Sequence, residues 1–355
     1  MSSAGSEGER TPRDEWVLAS MTRQLSILER VEAAAVDQAD DLGTCLAWIA
    51  LRRQAGRYLR SLANWSAFRS SQRYAEPMAA HQSAIEGFVV KSESELARLD
   101  GEAREEALRR LGRRLAVVGK GGAGKTLISG TLARLLARRG RRVLAADLDT
   151  NPGLTFTLGM PDGEAGLPLE ALERHEGAAY GWQLASGLSP AEAVERFAIP
   201  APDGVRYLGL GKIVEPEKLV PRRSVVAIQQ ILVGFGDPGW DVVGDLEAGT
   251  TTPFERYHLF ADHVLVVVGP AWRSALTAHR LQPLIGDLPT TVIANKFREE
   301  PDHPGLHPAL RIPFDPDVAE AERLGVAPLD YCPDSPAIRA IDELAERFLS
   351  QEVPV

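Results

Sequence analysis

One segment, LAVVGKGGAGKTLISGTLARLLARRG at residues 115–140, restricts the possible folds more than any other. It opens with a continuous apolar run and passes through four glycines between Gly119 and Gly124. Apolar residues then recur at three- and four-residue steps. An apolar run without alternation is the pattern of a strand buried on both faces, and the later spacing is that of a helix. Strand, glycine turn and helix in that order form the first half of a crossover unit, which returns the chain to a parallel neighbour. The runs RVLAAD, DVVGD, HVLVVVG and TTVIAN repeat the arrangement, each followed by a polar turn. From residue 114 to 355 the expected fold is α/β, with a mostly parallel sheet covered by helices on both faces.

The first third of the chain has another texture. Leu18, Met21, Leu25, Leu28 and Ala35 mark one face of a helix. Asp40 to Thr44 predicts a turn, Leu46, Trp48, Ile49, Tyr58 and Leu62 a second helix, and the stretch from Glu76 to Arg113 one or two more. Residues 14–113 thus predict an all-α N-terminal domain, a hairpin or small bundle. Its Trp and Tyr residues belong either to its core or to a partner surface. Residues 1–13 are polar, predict a disordered tail and contain no apolar signal core.

Composition removes several function classes. A net charge of −9 opposes general nucleic-acid binding, which needs a basic surface. No run of about 18 apolar residues predicts a membrane span. Cys45 and Cys332 stand far apart, which suits a reducing cytoplasm and excludes a metal site of paired local thiolates. Lysine is scarce: only six of the 40 basic residues are Lys, and two of the six, Lys120 and Lys125, lie in the glycine loop.

Gly119-Lys120-Gly121-Gly122-Ala123-Gly124-Lys125-Thr126 fits GxxxxGK[ST] between a strand and a helix, the context this pattern requires. The glycines let backbone N–H groups wrap a polyphosphate, and the helix starting at Lys125 points its positive end at the same anion. Lys125 is expected on the β- and γ-phosphates and the Thr126 hydroxyl on Mg²⁺. Asp245 closes the apolar run DVVGD and is expected to hold Mg²⁺ through a bound water, while Gly249 lets its N–H approach the γ-phosphate. Thr250, Thr251 and Thr252 extend that loop.

Lys120 stands where an ordinary phosphate loop has no fixed charge. KGGxGK[ST] resembles the deviant Walker A signature of the ATPase superfamily that includes MinD, ParA, the nitrogenase iron protein and the arsenite-pump ATPases. The resemblance covers about Leu115 to Leu349. It implies a P-loop NTPase fold, ATP and Mg²⁺ as ligands, and a homodimer in the ATP state. In that dimer Lys120 would reach the partner's nucleotide; the alternative is that it only solvates its own loop. The resemblance also makes Asp149 the carboxylate that orients the attacking water, with Asp147 behind it on the metal side. DLDTNP read plainly is a surface turn. Asn295 is expected on the adenine amine and N7. Arg298 occupies the position of the guanine-reading acidic residue, and a donor there favours ATP over GTP. Ile312 to Asp315 resembles the second adenine-side loop, with Pro313 against the ring and Asp315 beside it.

Within the superfamily, DLDTNPGL, DLEAG, VVVGPAWRSALTAHR and IPFDPDVAEAERLGVAPLD look most like the CooC group, accessory ATPases of carbon monoxide dehydrogenase. That group carries a Cys-x-Cys soon after a GKI element. Gly211-Lys212-Ile213 is present, but VEPEKLVPRRSVV follows without a cysteine, and His303 and His307 look like loop residues. Two function classes follow. One is an ATP-driven switch acting on a protein partner, through residues 14–113, as an accessory or maturation factor. The other is a positioning ATPase of the MinD or ParA kind. The C-terminal IDELAERFLSQEVPV is too acidic and short for a basic membrane helix. RRLGRR (109–114) and RRGRR (138–142) are thin support for DNA binding. A third reading makes the N-terminal helices the effector and the ATPase its gate.

Overall fold

The glycine loop is carried by a strand at the middle of an eight-stranded sheet. The computed structural model describes residues 10–63, 72–160, 166–211, 220–250, 257–298 and 305–350. Among the described residues four helices come first: α1 (Pro12–Val36), α2 (Asp41–Ala63), α3 (Gln72–Leu96) and α4 (Gly101–Arg110). Then follow β1 (Arg114–Gly119), α5 (Lys125–Arg138), β2 (Arg142–Leu148), α6 (Leu154–Leu158), the hairpin β3 (Leu172–Arg174) and β4 (Trp182–Leu184), and α7 (Pro190–Phe197). The chain continues through β5 (Ile199–Pro200), β6 (Arg206–Gly209), α8 (Val220–Gly234), β7 (Trp240–Leu246), β8 (His263–Val268), α9 (Trp272–Ile285) and β9 (Thr290–Phe297). It ends with β10 (Leu310–Pro313), α10 (Pro316–Leu324), α11 (Pro328–Tyr331) and α12 (Pro336–Leu349).

The strand order is β10-β9-β8-β1-β7-β2-β6-β5, and every pairing is parallel except β5 with β6. The five expected strands are all present, buried on both faces as their unbroken apolar runs require. In β1, Ala116 and Val118 enter the core under α8 and α9, while Leu115 and Val117 enter the core under α5 and α12. β6 and β10 were not expected. At four residues each they are too short for the periodicity to reveal them.

The helical region holds a third apolar cluster, built on Trp16, Val17, Leu28, Trp48, Leu51 and Tyr58. The cluster also includes Val226 of α8 and Ala178, so the N-terminal helices pack on the α/β part. Helix α1 starts two residues before the expected Asp14, because Thr11 and Asp14 form a reciprocal capping box ahead of Pro12. The turn expected over Asp40 to Thr44 is a correction: α2 already begins at Asp41. The Asp40 carboxylate instead accepts the Gly43 N–H at 2.6 Å. The apolar face of α12 (Ile338, Ile341, Leu344, Phe348) is buried in the core beside α5, so it is not a free surface for a membrane. Among the described residues no helix is long and apolar enough to cross one.

Candidate nucleotide site

Gly119 ends β1 with φ +152°, and a Cβ there would overlap the Val267 carbonyl of β8. Gly122 and Gly124 adopt φ +79° and +95°, conformations that L side chains resist. Between them the Ala123 N–H donates to the Lys120 carbonyl at 3.1 Å, closing a tight turn. Gly124 is the N-cap of α5 and supplies no side-chain cap. The first N–H groups of the helix therefore have no side chain to satisfy them, as an anion cradle needs. Lys125, 7% exposed, opens the helix, and Lys120 on the loop is half-buried.

Opposite the start of α5, two carboxylates stand on adjacent strands in direct register, Asp147 of β2 with Asp245 of β7. The Thr126 hydroxyl donates to Asp245 Oδ2 at 2.6 Å, and the Ser129 hydroxyl reaches Asp245 Oδ1 at 3.2 Å. Burial pushes the Asp245 carboxyl up to about 6, against the opposing pull of Thr126 and Lys125. Asp147, fully buried, is pushed up to about 7 by burial and then by the neighbouring Asp245 charge. Its oxygens accept the N–H groups of Asp149 at 3.2 Å and Leu154 at 3.0 Å. Asp147 thus fixes the DLDTNP loop from behind. Asp149 is half-buried and accepts the Asn151 N–H at 2.8 Å, so the local turn and a carboxylate at the loop mouth coexist.

Gly249 reaches the loop, but its N–H donates to the Gly119 carbonyl at 3.2 Å. Contact with a γ-phosphate would require that bond to open. Thr251 and Thr252 lie outside the described residues, as do Lys212, Ile213 and His303. Asn295, at the end of β9, is 1% exposed and donates from Nδ2 to the Ala123 carbonyl at 2.7 Å. It therefore braces the phosphate loop. Pro313 sits on the neighbouring β10, opposite Phe297. Asp315 is bound within the protein. Its Oδ1 accepts the Asp317 N–H at 3.0 Å and its Oδ2 the Ala337 N–H at 3.1 Å. Desolvation acts against its ionised form, yet these bonds hold the carboxyl below the usual range. The residue caps α10 and ties it to α12. Arg298 lies over the Phe314 ring, 4.1 Å from its centroid.

Ser129 and Lys296 were not singled out from the sequence. Ser129 lies one turn after Lys125 on α5, a spacing that predicted its neighbourhood but not its bond to Asp245. Lys296 has φ +65°, and its Cε comes within 3.6 Å of a Cβ placed on Gly124. Its aliphatic stem covers the loop.

Residues 115–329, more than half of the chain, match the family described as the CobQ/CobB/MinD/ParA nucleotide binding domain. The chain belongs to this family. Among its relatives is an uncharacterised ATP-binding protein of Methanocaldococcus jannaschii, 28% identical over 257 residues, which span 65% of this chain and 95% of that protein. The carbon monoxide dehydrogenase accessory protein CooC of Rhodospirillum rubrum is 29% identical over 243 residues, 62% of this chain and 90% of that protein. The fold is shared with the septum site-determining protein MinD of Pyrococcus horikoshii, solved with Mg-ADP. The TM-score is 0.52 at 22% identity, over 67% of this chain and 96% of that one. The matched segment of this chain carries the glycine loop, the parallel sheet and the two strand-end aspartates together. The N-terminal helices fall outside the matched segment. Among the described residues no group of three His, Cys, Asp or Glu side chains is placed to hold a metal, and both cysteines are buried.

Proposed function

We propose that this protein is an ATP-binding and ATP-hydrolysing switch whose ATP form is a homodimer acting on a protein partner. The observation that carries the reading is the bond from Thr126 to the buried Asp245, directly beside an uncapped glycine loop. Two hard oxygen donors at the mouth of a phosphate cradle suit Mg²⁺, with Thr126 binding it and Asp245 acting through a water. The ion would supply charge neutralisation for the phosphates. Lys125 binds the β- and γ-phosphates, and Asp149 orients the attacking water. Asp147 holds the Asp149 loop in place through two backbone bonds. Arg298 in place of an acceptor sets the preference for ATP.

Lys120 is assigned to the partner's site. It is half-buried and followed by the exposed Gly121 and Gly122, and its own site already has Lys125. The likeness to CooC, 29% identical, supports an accessory or maturation role, while the missing Cys-x-Cys argues that a metal is not carried in the same way. Residues 14–113 are the proposed effector domain.

The test mixes Lys120→Ala with Asp149→Ala subunits. Each variant alone should bind ATP without turning it over. A mixed dimer restores one complete site, with Asp149 from one subunit and Lys120 from the other, so hydrolysis should return in part. If mixed dimers form and stay inactive, Lys120 does not act across the interface.

A further inference from the structure

At the opposite end of the strands from the glycine loop, several arginines converge on one carboxylate. Arg53, Arg57 and Arg60 share a face of α2, spaced four and three residues apart. All three approach Asp262, just before β8, at 3.9, 3.3 and 3.5 Å. Arg113 and Arg114, at the start of β1, add two more cations nearby. Among the described residues the Arg114 guanidinium hydrogen-bonds only the neutral carbonyls of Leu232 and Phe235. Arg113 has Asp241 beside it, but that carboxylate also takes Arg141 at 2.8 Å. Asp262 is held below the usual carboxylate range by these arginines although burial opposes it. Burial first, and then the neighbouring arginines against the pull of Asp262, lower Arg53 to about 10.

Three guanidinium groups against the one carboxylate they share leave an excess of positive charge. Burying such an excess is costly unless an anion joins it. The Nε atoms of Arg57, itself 2% exposed, and of Arg60 are buried without a hydrogen-bond partner among the described residues. Arg53, Arg60 and Asp262 line a cavity of about 670 Å³ between α2, the turn Tyr257–Phe260 and the end of α9. That volume is in the range of small-molecule sites. His258 and Asp287 also line it, and Leu59, Leu284 and Leu288 give it apolar walls. No ion pair joins Asp287 to the α2 arginines among the described residues. Arg52, on the rim, is already paired with Glu93 at 3.0 Å.

We propose that this cavity is a second ligand site, separate from the glycine loop, for an organic phosphate. A phosphate monoester dianion would offset the excess positive charge of the cluster. Its oxygens match the guanidinium forks of Arg53 and Arg60, and the apolar walls receive the organic body.

Phenyl phosphate is the probe. It is titrated calorimetrically into the full-length protein, into Arg60→Gln and Arg60→Lys, and into Lys125→Ala, with phenol as the neutral control. The wild type and Lys125→Ala should bind one equivalent, more weakly at higher salt, and phenol should not bind. Arg60→Gln should bind about tenfold more weakly or worse; Arg60→Lys, which keeps charge but loses the fork, should fall between. Arg60 is part-exposed but donates to the Ala261 carbonyl at 2.9 Å, so the melting of the unliganded variants is measured alongside to separate lost binding from lost folding. The proposal is overturned if the wild type fails to bind at about 10 mM probe, a concentration well above a millimolar Kd. It is equally overturned if binding is lost in Lys125→Ala yet unchanged in Arg60→Gln, which would place the probe on the glycine loop.

Discussion

Replacing Gly124 by alanine separates two costs that the glycine loop imposes. Gly122 and Gly124 both have positive φ, so alanine at either position costs about 1–2 kcal/mol of backbone strain. Around Gly122 a Cβ meets nothing within 4 Å. At Gly124 it overlaps Nδ2 of Asn295, the atom that donates to the Ala123 carbonyl at 2.7 Å. Moving Asn295 away leaves a buried donor and a buried acceptor unpaired, at about 1–3 kcal/mol. Gly124→Ala should therefore cost about 1–3 kcal/mol more than Gly122→Ala. With a urea slope of roughly 3 kcal/mol/M, the difference in midpoint is about 0.3–1 M. Urea unfolding of the nucleotide-free protein, followed by circular dichroism, gives the number. The cycle is completed with Asn295→Ala, which removes the obstructing amide. In that background Gly124→Ala should cost no more than Gly122→Ala does in the wild type. Equal midpoints for the two glycine variants, or an undiminished Gly124→Ala cost without Asn295, would refute the steric argument.

Other perturbations probe the chemistry. In the metal- and nucleotide-free protein, the raised carboxyls of Asp245, about 6, and Asp147, about 7, favour the protonated form. Their contribution is complete below about pH 4 and is lost as pH climbs through 6 and 7. Asp245→Asn should flatten the fall in stability across that window and lower the Asp147 titration, seen by carboxyl NMR; an unchanged slope would deny the coupling. Lys125→Ala and Thr126→Ala should each weaken Mg-ATP binding at least tenfold by equilibrium titration, and unaltered affinity in both would remove the nucleotide assignment. Asp149→Ala should keep ATP affinity within about twofold yet slow turnover by about a hundredfold or more, the usual scale for a positioned acid–base group. A fully active variant would move the water-orienting role elsewhere.

Some of this molecule was written in short-range pattern. The apolar runs at residues 115–119, 143–146 and 264–268 declare strands covered on both faces, because alternation is needed only where one face meets water. The glycines and lysines of residues 119–125 declare the loop, because positive φ and close backbone approach admit little else. Long-range pairings were not legible. That Asp147 and Asp245 stand in register depends on β7 inserting between β1 and β2, although it follows β2 by some ninety residues. That Asp315 caps α10 and also holds the first turn of α12 depends on α12 returning beside α10. The arginines of α2 look like a solvated helix face in sequence. Only the docking of that helix against the start of β8 buries them around Asp262 and gives their charge a consequence. Local sequence fixes which backbone conformations are cheap. Which carboxylate meets which cation is fixed by the packing of elements far apart in the chain.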